Sequence, residues 1–360
     1  MELKIAVLPG DGIGPQVTNE AVKVMDTISK KFNHKINISE GLTGAIAIDK
    51  KGNPYPDETH QICEKSDAIL FGAIGDPKYD NDPSAKVRPE QGLLDMRKKL
   101  GLYANLRPTI VFESLIDNSP LRKDRIINTD LIFVRELTGG IYFGERGRKN
   151  NGDFAYDTCE YSRQEIERIA QLGFEMALKR KRKLCCVDKA NVLETSRLWR
   201  ETVQNMESSY PNVEVSYEFV DAVAMRLIQW PSEYDVLVTS NLFGDILTDE
   251  ASVISGSMGL MPSASIGEKN ALYEPIHGSY PQAAGKNIAN PLGSILSLAM
   301  MFEHSFNLEK ESKIIKEAVD NSLKEKITTQ DISGNDKSHS TSDVGAVSYT
   351  HLTLPTILLV

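Results

Sequence analysis

The chain has 360 residues, of which 41% are hydrophobic, and its formal net charge at pH 7 is −9. This length and apolar content predict one large domain or two of ordinary size. The excess of acids excludes a general affinity for nucleic-acid backbones or anionic membranes, which require an excess of Lys and Arg. The sequence lacks an apolar run of the roughly 20 residues that cross a bilayer. Residues 1–7 do not resemble a secretory signal, so we expect a cytoplasmic protein.

The N-terminal third alternates short apolar runs with amphipathic stretches. Residues 3–8 and 68–71 predict buried strands, and residues 17–30 predict a helix with Pro15 at its start. This alternation predicts an α/β fold whose sheet is covered on both faces. The glycines at 10–14 follow the first strand, but their spacing is not that of the dinucleotide fingerprint, so they are weak support for a Rossmann domain.

Residues 90–97 place an acid, two leucines and a base on one face of a predicted helix. The residues at i, i+3, i+4 and i+7 are Glu90, Leu93, Leu94 and Arg97. An arginine there can bind a carboxylate while the leucines accept an alkyl group. Arg107 and Arg135 also stand beside apolar segments, and three arginines suit a substrate with two carboxylates. The competing interpretation, that each forms a surface salt bridge, is individually more common.

The middle of the chain differs in character from the beginning. Residues 135–163 are aromatic and glycine-rich around a polar stretch, which predicts a hairpin or arm. Further strands are predicted at 183–187, 213–220 and 236–239. The basic run 179–183 is interpreted as the end of a helix, where cations complement the helix dipole, rather than as a nucleic-acid patch.

A predicted helix after the strand at 236–239 carries Asp245 and Asp249. Carboxylates four residues apart leave one helix face and repel each other, and a hard divalent cation would compensate them. On spacing alone, two ordinary solvated acids are the more common explanation. Asp221 and Lys189 each follow a predicted strand, and strand ends are where α/β sheets place ligands. Together these residues favour a metal site.

Several segments complete the domain assignment. Gly, Pro and Ser cluster after Ser255, and residues 274–291 predict a long loop, between helical segments, that suits contact with a ligand. We predict a discontinuous larger domain, residues 1–104 and 256–346, and a smaller domain, residues 105–255. Residues 347–360 turn apolar abruptly and are predicted to be an atypical, non-native tail. The four cysteines are predicted to be reduced packing residues: Cys63, Cys159, Cys185 and Cys186.

These residues belong to longer motifs that closely resemble the 3-isopropylmalate dehydrogenases, in the superfamily of decarboxylating β-hydroxyacid dehydrogenases that includes isocitrate dehydrogenase. The resemblance runs from residue 1 to about residue 345. The motifs that carry it are 10–15 (GDGIGP), 90–94 (EQGLL), 105–108 (NLRP), 135–144 (RELTGGIYFG), 188–191 (DKAN), 241–250 (NLFGDILTDE) and the loop that begins at His277.

The resemblance implies two α/β domains with a central mixed sheet, not the Rossmann fold, with the cofactor on the larger domain. It implies a homodimer with shared active sites, whose interface and arm lie in the smaller domain. Arg97, Arg107 and Arg135 would bind the substrate carboxylates, and Tyr142 would be the proton donor. Mg²⁺ or Mn²⁺ would be bound by Asp245 and Asp249 of one subunit, and the other subunit would supply Lys189, Asn191 and Asp221. Lys189 would help to remove the hydroxyl proton.

The implied cofactor is NAD. The residues expected to bind it are Ile13, Gly75, Glu274, His277, Gly278, Ser279, Gln282, Ala283 and Asn290. The chain departs from the family here, because many members place Asp, which binds the adenosine ribose, where this chain has Gln282. Glutamine can still bond to a hydroxyl group but repels a 2′-phosphate less than Asp does. NAD remains the expected cofactor.

The implied reaction is oxidation and decarboxylation of (2R,3S)-3-isopropylmalate to 4-methyl-2-oxopentanoate and CO₂ in leucine biosynthesis. Leu93 and Leu94 would pack the isopropyl group, where isocitrate dehydrogenases have polar residues. That burial is worth roughly 2 kcal/mol, which is more than tenfold in selectivity. The alternatives are a D-malate, tartrate or isocitrate dehydrogenase of the same superfamily, and a non-catalytic homologue.

Overall fold

A computed structural model describes residues 1–81, 87–334 and 336–353. The chain forms two compact units. The first consists of Met1–Gly101 and the chain from Ser257 onward, and the second consists of Leu102–Gly256. Among the described residues, none of the helices is both long and apolar enough to span a membrane.

Strands and helices alternate along most of the chain. The strands are β1 (Glu2–Gly10), β2 (Lys35–Glu40), β3 (Ala68–Ala73), β4 (Ala104–Ile110), β5 (Asp130–Glu136), β6 (Arg146–Lys149), β7 (Phe154–Asp157), β8 (Lys183–Asp188), β9 (Glu214–Phe219), β10 (Val236–Thr239), β11 (Pro262–Ile266) and β12 (Ala271–Pro275). The helices are α1 (Gly14–Phe32), α2 (Ala45–Lys51), α3 (Asp57–Lys65), α4 (Pro77–Asp80), α5 (Pro89–Lys99), α6 (Lys123–Ile126), α7 (Arg163–Lys179), α8 (Glu194–Met206), α9 (Val220–Gln229), α10 (Asn241–Ile254), α11 (Leu292–His304), α12 (Glu309–Lys324), α13 (Gln330–Ser333) and α14 (Thr341–Thr353).

The first unit is built on strands in the order β2-β1-β3-β12-β11. The first four are parallel, and β11 is antiparallel to β12. Every residue of β3 is buried, as expected for a parallel strand covered on both faces. Helix α11 is buried from Leu292 to Phe302, so it forms the centre of this unit's core rather than an amphipathic cover.

The second unit is built on strands in the order β4-β5-β10-β8-β9. Only β4 runs antiparallel to its neighbour, β5. The carboxyl ends of β5, β10, β8 and β9 therefore lie at one edge of the sheet, where α/β folds place their ligands. Side chains of β5, β8, β10 and α10 share one core cluster that includes Phe133, Val187, Leu237 and Leu247.

The mixed α/β architecture and the predicted strands are confirmed. Residues 183–187 lie in β8, residues 236–239 form β10, and the predicted hairpin is the antiparallel pair β6–β7. The basic run 179–183 lies between the end of α7 and the start of β8, where Arg180 binds the buried Asp235 at 2.7 Å. This contact explains the run as a structural feature.

Two expectations are wrong, and the non-native origin of the tail stays a prediction. Cys159 is exposed, so it is not a packing residue, whereas the other three cysteines are buried. The segment 274–291 begins in the strand β12 and not after a helix. The tail contributes to the first unit, because α14 continues to Thr353 and buries Val344, Ser348 and Leu352 at four-residue spacing on one face. The rest of the tail, residues 354–360, lies outside the described residues.

Candidate functional site

Two buried arginines face two aspartates in the second unit. Arg135 on β5 is only 2% exposed, and its Nη1 donates a hydrogen bond to Asp245 Oδ1. Arg107 Nη1 lies 3.7 Å from Asp245 Oδ1 and 3.6 Å from Asp249 Oδ1. Burial raises the pKa of Asp249, and the Arg107 guanidinium opposes this effect. The two aspartates of α10 are therefore neighbours, as their spacing predicted.

The surroundings of the two arginines explain their orientation. Arg107 donates from Nε to Asn105 Oδ1 and from Nη1 to Thr248 Oγ1, both at 2.6 Å. Arg135 packs against Gly244, where an added Cβ would lie 2.6 Å from Arg135 Cγ. Asn105 and Thr248 were not among the site residues predicted from the sequence. The signal was available in part, because Asp245 and Thr248 stand at i and i+3 on one helix face.

Tyr142 joins this group from the turn that follows β5. Its hydroxyl donates to Asp245 Oδ2 at 2.9 Å, and its ring centre lies 6.0 Å from the Arg135 guanidinium carbon. Burial, and then the charge of Asp245, raises the pKa of Tyr142. The phenol is consequently protonated at neutral pH and can hold a proton for transfer.

The predicted partner-side residues lie at the carboxyl ends of β8 and β9. Lys189 Nζ donates to Asp221 Oδ1 at 2.6 Å, and this bond lowers the pKa of Asp221. Asn191 is exposed. Among the described residues of one chain, no group of three or more His, Cys, Asp or Glu side chains is placed to hold a metal ion. A single chain therefore does not bring Asp221 together with Asp245 and Asp249.

A partly buried ion pair holds the loop that carries Lys189. Asp188 is 1% exposed and accepts hydrogen bonds from Arg200 Nε at 2.8 Å and Nη2 at 3.0 Å. It also accepts from the backbone N–H of Ala190. Arg200 was not predicted from the sequence, because its spacing from Asp188 gives no periodic signal.

Helix α5 of the first unit carries the predicted specificity face. Glu90 is exposed, Leu93 and Leu94 are half-buried, and Arg97 is buried. Arg97 Nη2 donates to Glu274 Oε1 at 3.2 Å. Its Nε is buried and has no hydrogen-bond partner within the described part of the chain. The leucines are thus partly available to an apolar group, beside a cation with unused hydrogen-bonding capacity.

A cavity of about 610 Å³ in the first unit includes part of the predicted cofactor set. The predicted residues that line it are Ile13, His277, Gly278 and Asn290. The other lining residues were not predicted from the sequence: Ser257, Met258, Gly259, Tyr280, Ile288, Ala289, Gln330 and Asp331. His277 Nε2 is buried with no hydrogen-bond partner among the described residues, and burial lowers the pKa of this side chain.

The remaining predicted cofactor residues do not line this cavity. The Ala283 side chain is fully buried in a core cluster with Ile13 and Val17, and Gln282 is exposed. The Ser279 carbonyl accepts the Ile13 N–H at 2.8 Å. Glu274 is occupied by Arg97, and the Gly75 N–H donates to Asp11 Oδ2 at 3.0 Å.

The glycine-rich loop at 10–14 is a structural element rather than a phosphate cradle. The buried Asp11 carboxylate also accepts the N–H groups of Ala45 and Ile46 at the start of α2, at 2.8 and 3.0 Å. The backbone N–H groups of Asp11, Ile13 and Gly14 are bonded to the carbonyls of Ala73, Ser279 and Asp11, so these donors of the loop are already used within the protein. The weak support for a Rossmann domain is withdrawn.

Known proteins resemble the chain over nearly its whole length. The family model described as isocitrate/isopropylmalate dehydrogenase matches residues 4–347. A relative from Bacteroides fragilis named 3-isopropylmalate dehydrogenase is 56% identical over 96% of this chain and 98% of its own. One of the same name from Aquifex aeolicus is 52% identical over 91% of each chain.

Solved structures agree with this match. The crystal structure of isocitrate dehydrogenase from Methylococcus capsulatus has a TM-score of 0.88 at 32% identity, and covers 97% of this chain and 99% of its own. The crystal structure of a β-decarboxylating dehydrogenase from Thermococcus kodakarensis has a TM-score of 0.80 at 34% identity. It covers 97% of this chain and 96% of its own. The resemblance seen in the sequence motifs is confirmed, and the chain belongs to the isocitrate/isopropylmalate dehydrogenase family.

Proposed function

We propose that this chain oxidises 3-isopropylmalate with NAD and decarboxylates the product to 4-methyl-2-oxopentanoate, using Mg²⁺ or Mn²⁺, as a cytoplasmic homodimer in leucine biosynthesis. The observation that carries the proposal is the 56% identity over 96% of the chain to a relative of that name. The half-buried Leu93 and Leu94 favour an isopropyl group over the third carboxylate of isocitrate.

The residues present fit a divalent cation. Asp245 and Asp249 offer hard carboxylate oxygens from one face of α10, and the two arginines opposite them suit the carboxylates of a bound substrate. Within the described part of one chain, these two aspartates are not joined by a third His, Cys, Asp or Glu ligand. We propose that Asp221 of the partner subunit supplies the third carboxylate.

The cavity of the first unit fits part of a dinucleotide. Ile13, Met258 and Ile288 give it apolar walls, and Asn290 and His277 add polar groups to its lining. His277 Nε2 is buried and has no hydrogen-bond partner among the residues that the structure describes, so a ligand hydrogen bond would satisfy it. Nδ1 donates to the Gly278 carbonyl at 2.9 Å, and the lowered pKa keeps the ring neutral, so Nε2 is a hydrogen-bond acceptor without charge.

The side chains divide the chemistry among them. When bound, the cation would draw electron density from the substrate C2 oxygen, and NAD would accept hydride. Arg107 and Arg135 hold carboxylates, and Lys189 of the partner subunit takes the hydroxyl proton. Tyr142 holds a proton on its hydroxyl oxygen and delivers it to C3 after CO₂ leaves. Its raised pKa keeps that proton in place until then.

The helices that carry the metal-binding aspartates also carry exposed apolar side chains, which supports a dimer. These residues are Met225 and Ile228 on α9 and Ile246 and Val253 on α10. Helices α9 and α10 pack against each other. Exposed apolar groups that cluster in this way are typical of an interface, and a two-fold axis would pair this surface with itself.

Two experiments test the proposal. The first compares NADH formation with 3-isopropylmalate, D-malate and isocitrate in the presence of Mg²⁺. Isopropylmalate is expected to give the highest kcat/KM, and faster turnover of isocitrate would refute the substrate assignment.

The second experiment mixes two inactive variants, Asp245→Asn and Lys189→Ala, under conditions that exchange subunits. If each active site uses residues of both chains, each hybrid dimer regains one intact site, and the mixture recovers about one quarter of wild-type activity. A mixture that stays inactive, although native gels show hybrids, would refute shared sites.

A further inference from the structure

One buried amide joins three parts of the candidate site. Asn241, the first residue of α10, is 1% exposed. Its Oδ1 accepts hydrogen bonds from Arg135 Nη2 at 2.8 Å and Nε at 3.3 Å, and its Nδ2 donates to the Gly139 carbonyl at 3.2 Å. Its backbone N–H donates to the Tyr161 hydroxyl at 2.9 Å. Both ends of the side chain are thus used outside its own helix.

Helix capping does not account for this residue. The N-cap of α10 is Ser240, which makes no side-chain capping bond, and Asn241 Oδ1 accepts from Arg135 rather than from a free N–H of the helix. Burying an amide costs free energy unless its groups are bonded. Here the compensating partners are the guanidinium of Arg135 and the carbonyl of Gly139.

Each hydrogen-bond partner of the Asn241 side chain is connected to another residue of the candidate site. Arg135 also donates from Nη1 to Asp245, so the Asn241 bonds orient the plane of the guanidinium. Gly139 begins the turn Gly140–Tyr142, and the neighbouring Glu136 accepts the Thr138 and Gly139 N–H groups at 2.8 Å. There is no room for side chains beside Tyr161, because a Cβ on Gly140 would lie 2.4 Å from its hydroxyl.

We propose that Asn241 is a positioning residue that holds Arg135 ready for a substrate carboxylate and fixes the start of the turn that carries Tyr142. The inference rests on the proposed function, since it assigns Arg135 to the substrate. Beyond that function, we infer that substrate affinity depends on the Asn241 side chain, which acts through Arg135 and does not itself contact the substrate.

The test measures KM and kcat for 3-isopropylmalate in Asn241→Ala and Tyr161→Phe. The matched control is Ser252→Ala, which removes an equally buried polar group of α10 whose hydroxyl donates within the helix, to the Asp249 carbonyl. Because the Arg135 guanidinium is no longer held in place, KM is expected to rise about tenfold in Asn241→Ala and about threefold in Tyr161→Phe. The control should stay within about twofold of wild type.

A double-mutant cycle separates positioning from general destabilisation. In an Arg135→Ala background, Asn241→Ala should raise KM by less than about twofold, because the group it orients is gone. An unchanged KM with kcat lowered only in proportion to the folded fraction would overturn the inference, and so would the same tenfold rise in the Arg135→Ala background. If Asn241→Ala does not fold, the KM of Tyr161→Phe decides.

Ligand-free crystal structures distinguish this inference from the proposed function. A shifted Arg135 guanidinium in Asn241→Ala or Tyr161→Phe supports positioning whatever the substrate is, and an unmoved guanidinium in both overturns it. Failure of wild-type enzyme to oxidise isopropylmalate refutes only the substrate assignment.

Discussion

Substitution of Gly244 tests the position of Arg135 beside Asp245, because Gly244→Ala adds a single methyl group next to the arginine side chain. In Gly244→Ala the added Cβ would lie 2.6 Å from Arg135 Cγ and 2.9 Å from its Cβ, well inside van der Waals contact. Arg135 sits on β5 at 2% exposure and has little room to yield. Either the helix carrying Asp245 or the guanidinium must therefore move.

The two effects on stability oppose each other. Ala is favoured over Gly inside a helix by about 1 kcal/mol, whereas overpacking a core costs about 1–3 kcal/mol. We expect a net loss of at most about 2 kcal/mol, so the variant should fold. A charge-assisted hydrogen bond is worth about 1.5–3 kcal/mol. Partial loss of the contact between Arg135 and a carboxylate should therefore raise KM about tenfold.

The assay is NADH formation at varied isopropylmalate, together with thermal melting. Gly173→Ala is the matched control, because this buried glycine lies inside α7 and its Cβ would meet Leu184 Cδ1 and Val238 Cβ at 3.3 and 3.4 Å, without the severe overlap at Gly244. We expect the control to keep the wild-type KM. A wild-type KM in Gly244→Ala, with an unchanged or raised melting temperature, would refute the assignment of Arg135 to the substrate.

The remaining predictions concern specificity, the proton donor, metal and pH. Leu93→Ser combined with Leu94→Asn should lower kcat/KM for isopropylmalate more than tenfold, from a loss of about 2 kcal/mol, while D-malate, which has no isopropyl group, should be affected little. Tyr142→Phe should lower kcat about 100-fold or more. Because the pKa of Tyr142 is raised above its ordinary 10.0, ionisation of Tyr142 should cause no loss of wild-type activity below pH 10. A chelator should abolish NADH formation and Mn²⁺ should restore it; activity that survives chelation would contradict the metal assignment. Burial lowers the pKa of His277 from its ordinary 6.5. The contribution of this side chain to the free energy of unfolding is therefore present above pH 6.5 and is lost as the pH falls through the folded-state pKa. The melting temperature of His277→Gln should depend less on pH between about 5 and 7 than that of the wild type.

The sequence predicted what depends on local pattern. The runs at 68–71 and 236–239 are apolar at nearly every position, and both are buried parallel strands. The four-residue spacing of Asp245 and Asp249 placed their carboxylates on one face without any tertiary information. The family motifs then supplied the roles that spacing alone leaves open.

What the sequence did not predict depends on contacts between distant segments. Thr248 bonds Arg107 from 141 residues away, and Asn241 bonds Arg135 from 106 residues away. The role of Asp11 was not predicted, because its carboxylate binds the start of α2, which lies 34 residues away along the chain. The helical tail was missed for another reason, since an abrupt change of composition does not prevent residues at four-residue spacing from packing against α1 and α12.

The arrangement of the acids gives a chemical reason for the proposed dimer. Each chain would carry both halves of the proposed metal site, with Asp245 and Asp249 on α10 and Asp221 at the start of α9, and these residues do not meet within one chain. In a two-fold dimer, a contact between residue i of one subunit and residue j of the other occurs twice. Such a dimer would therefore bring Asp221 of each subunit to Asp245 and Asp249 of the other, and so form two sites. The exposed apolar residues lie on these same two helices, so the hydrophobic contact that would hold the subunits together would also complete the two sites. A cation bound between the subunits would in turn favour the dimer, because it binds the monomer more weakly.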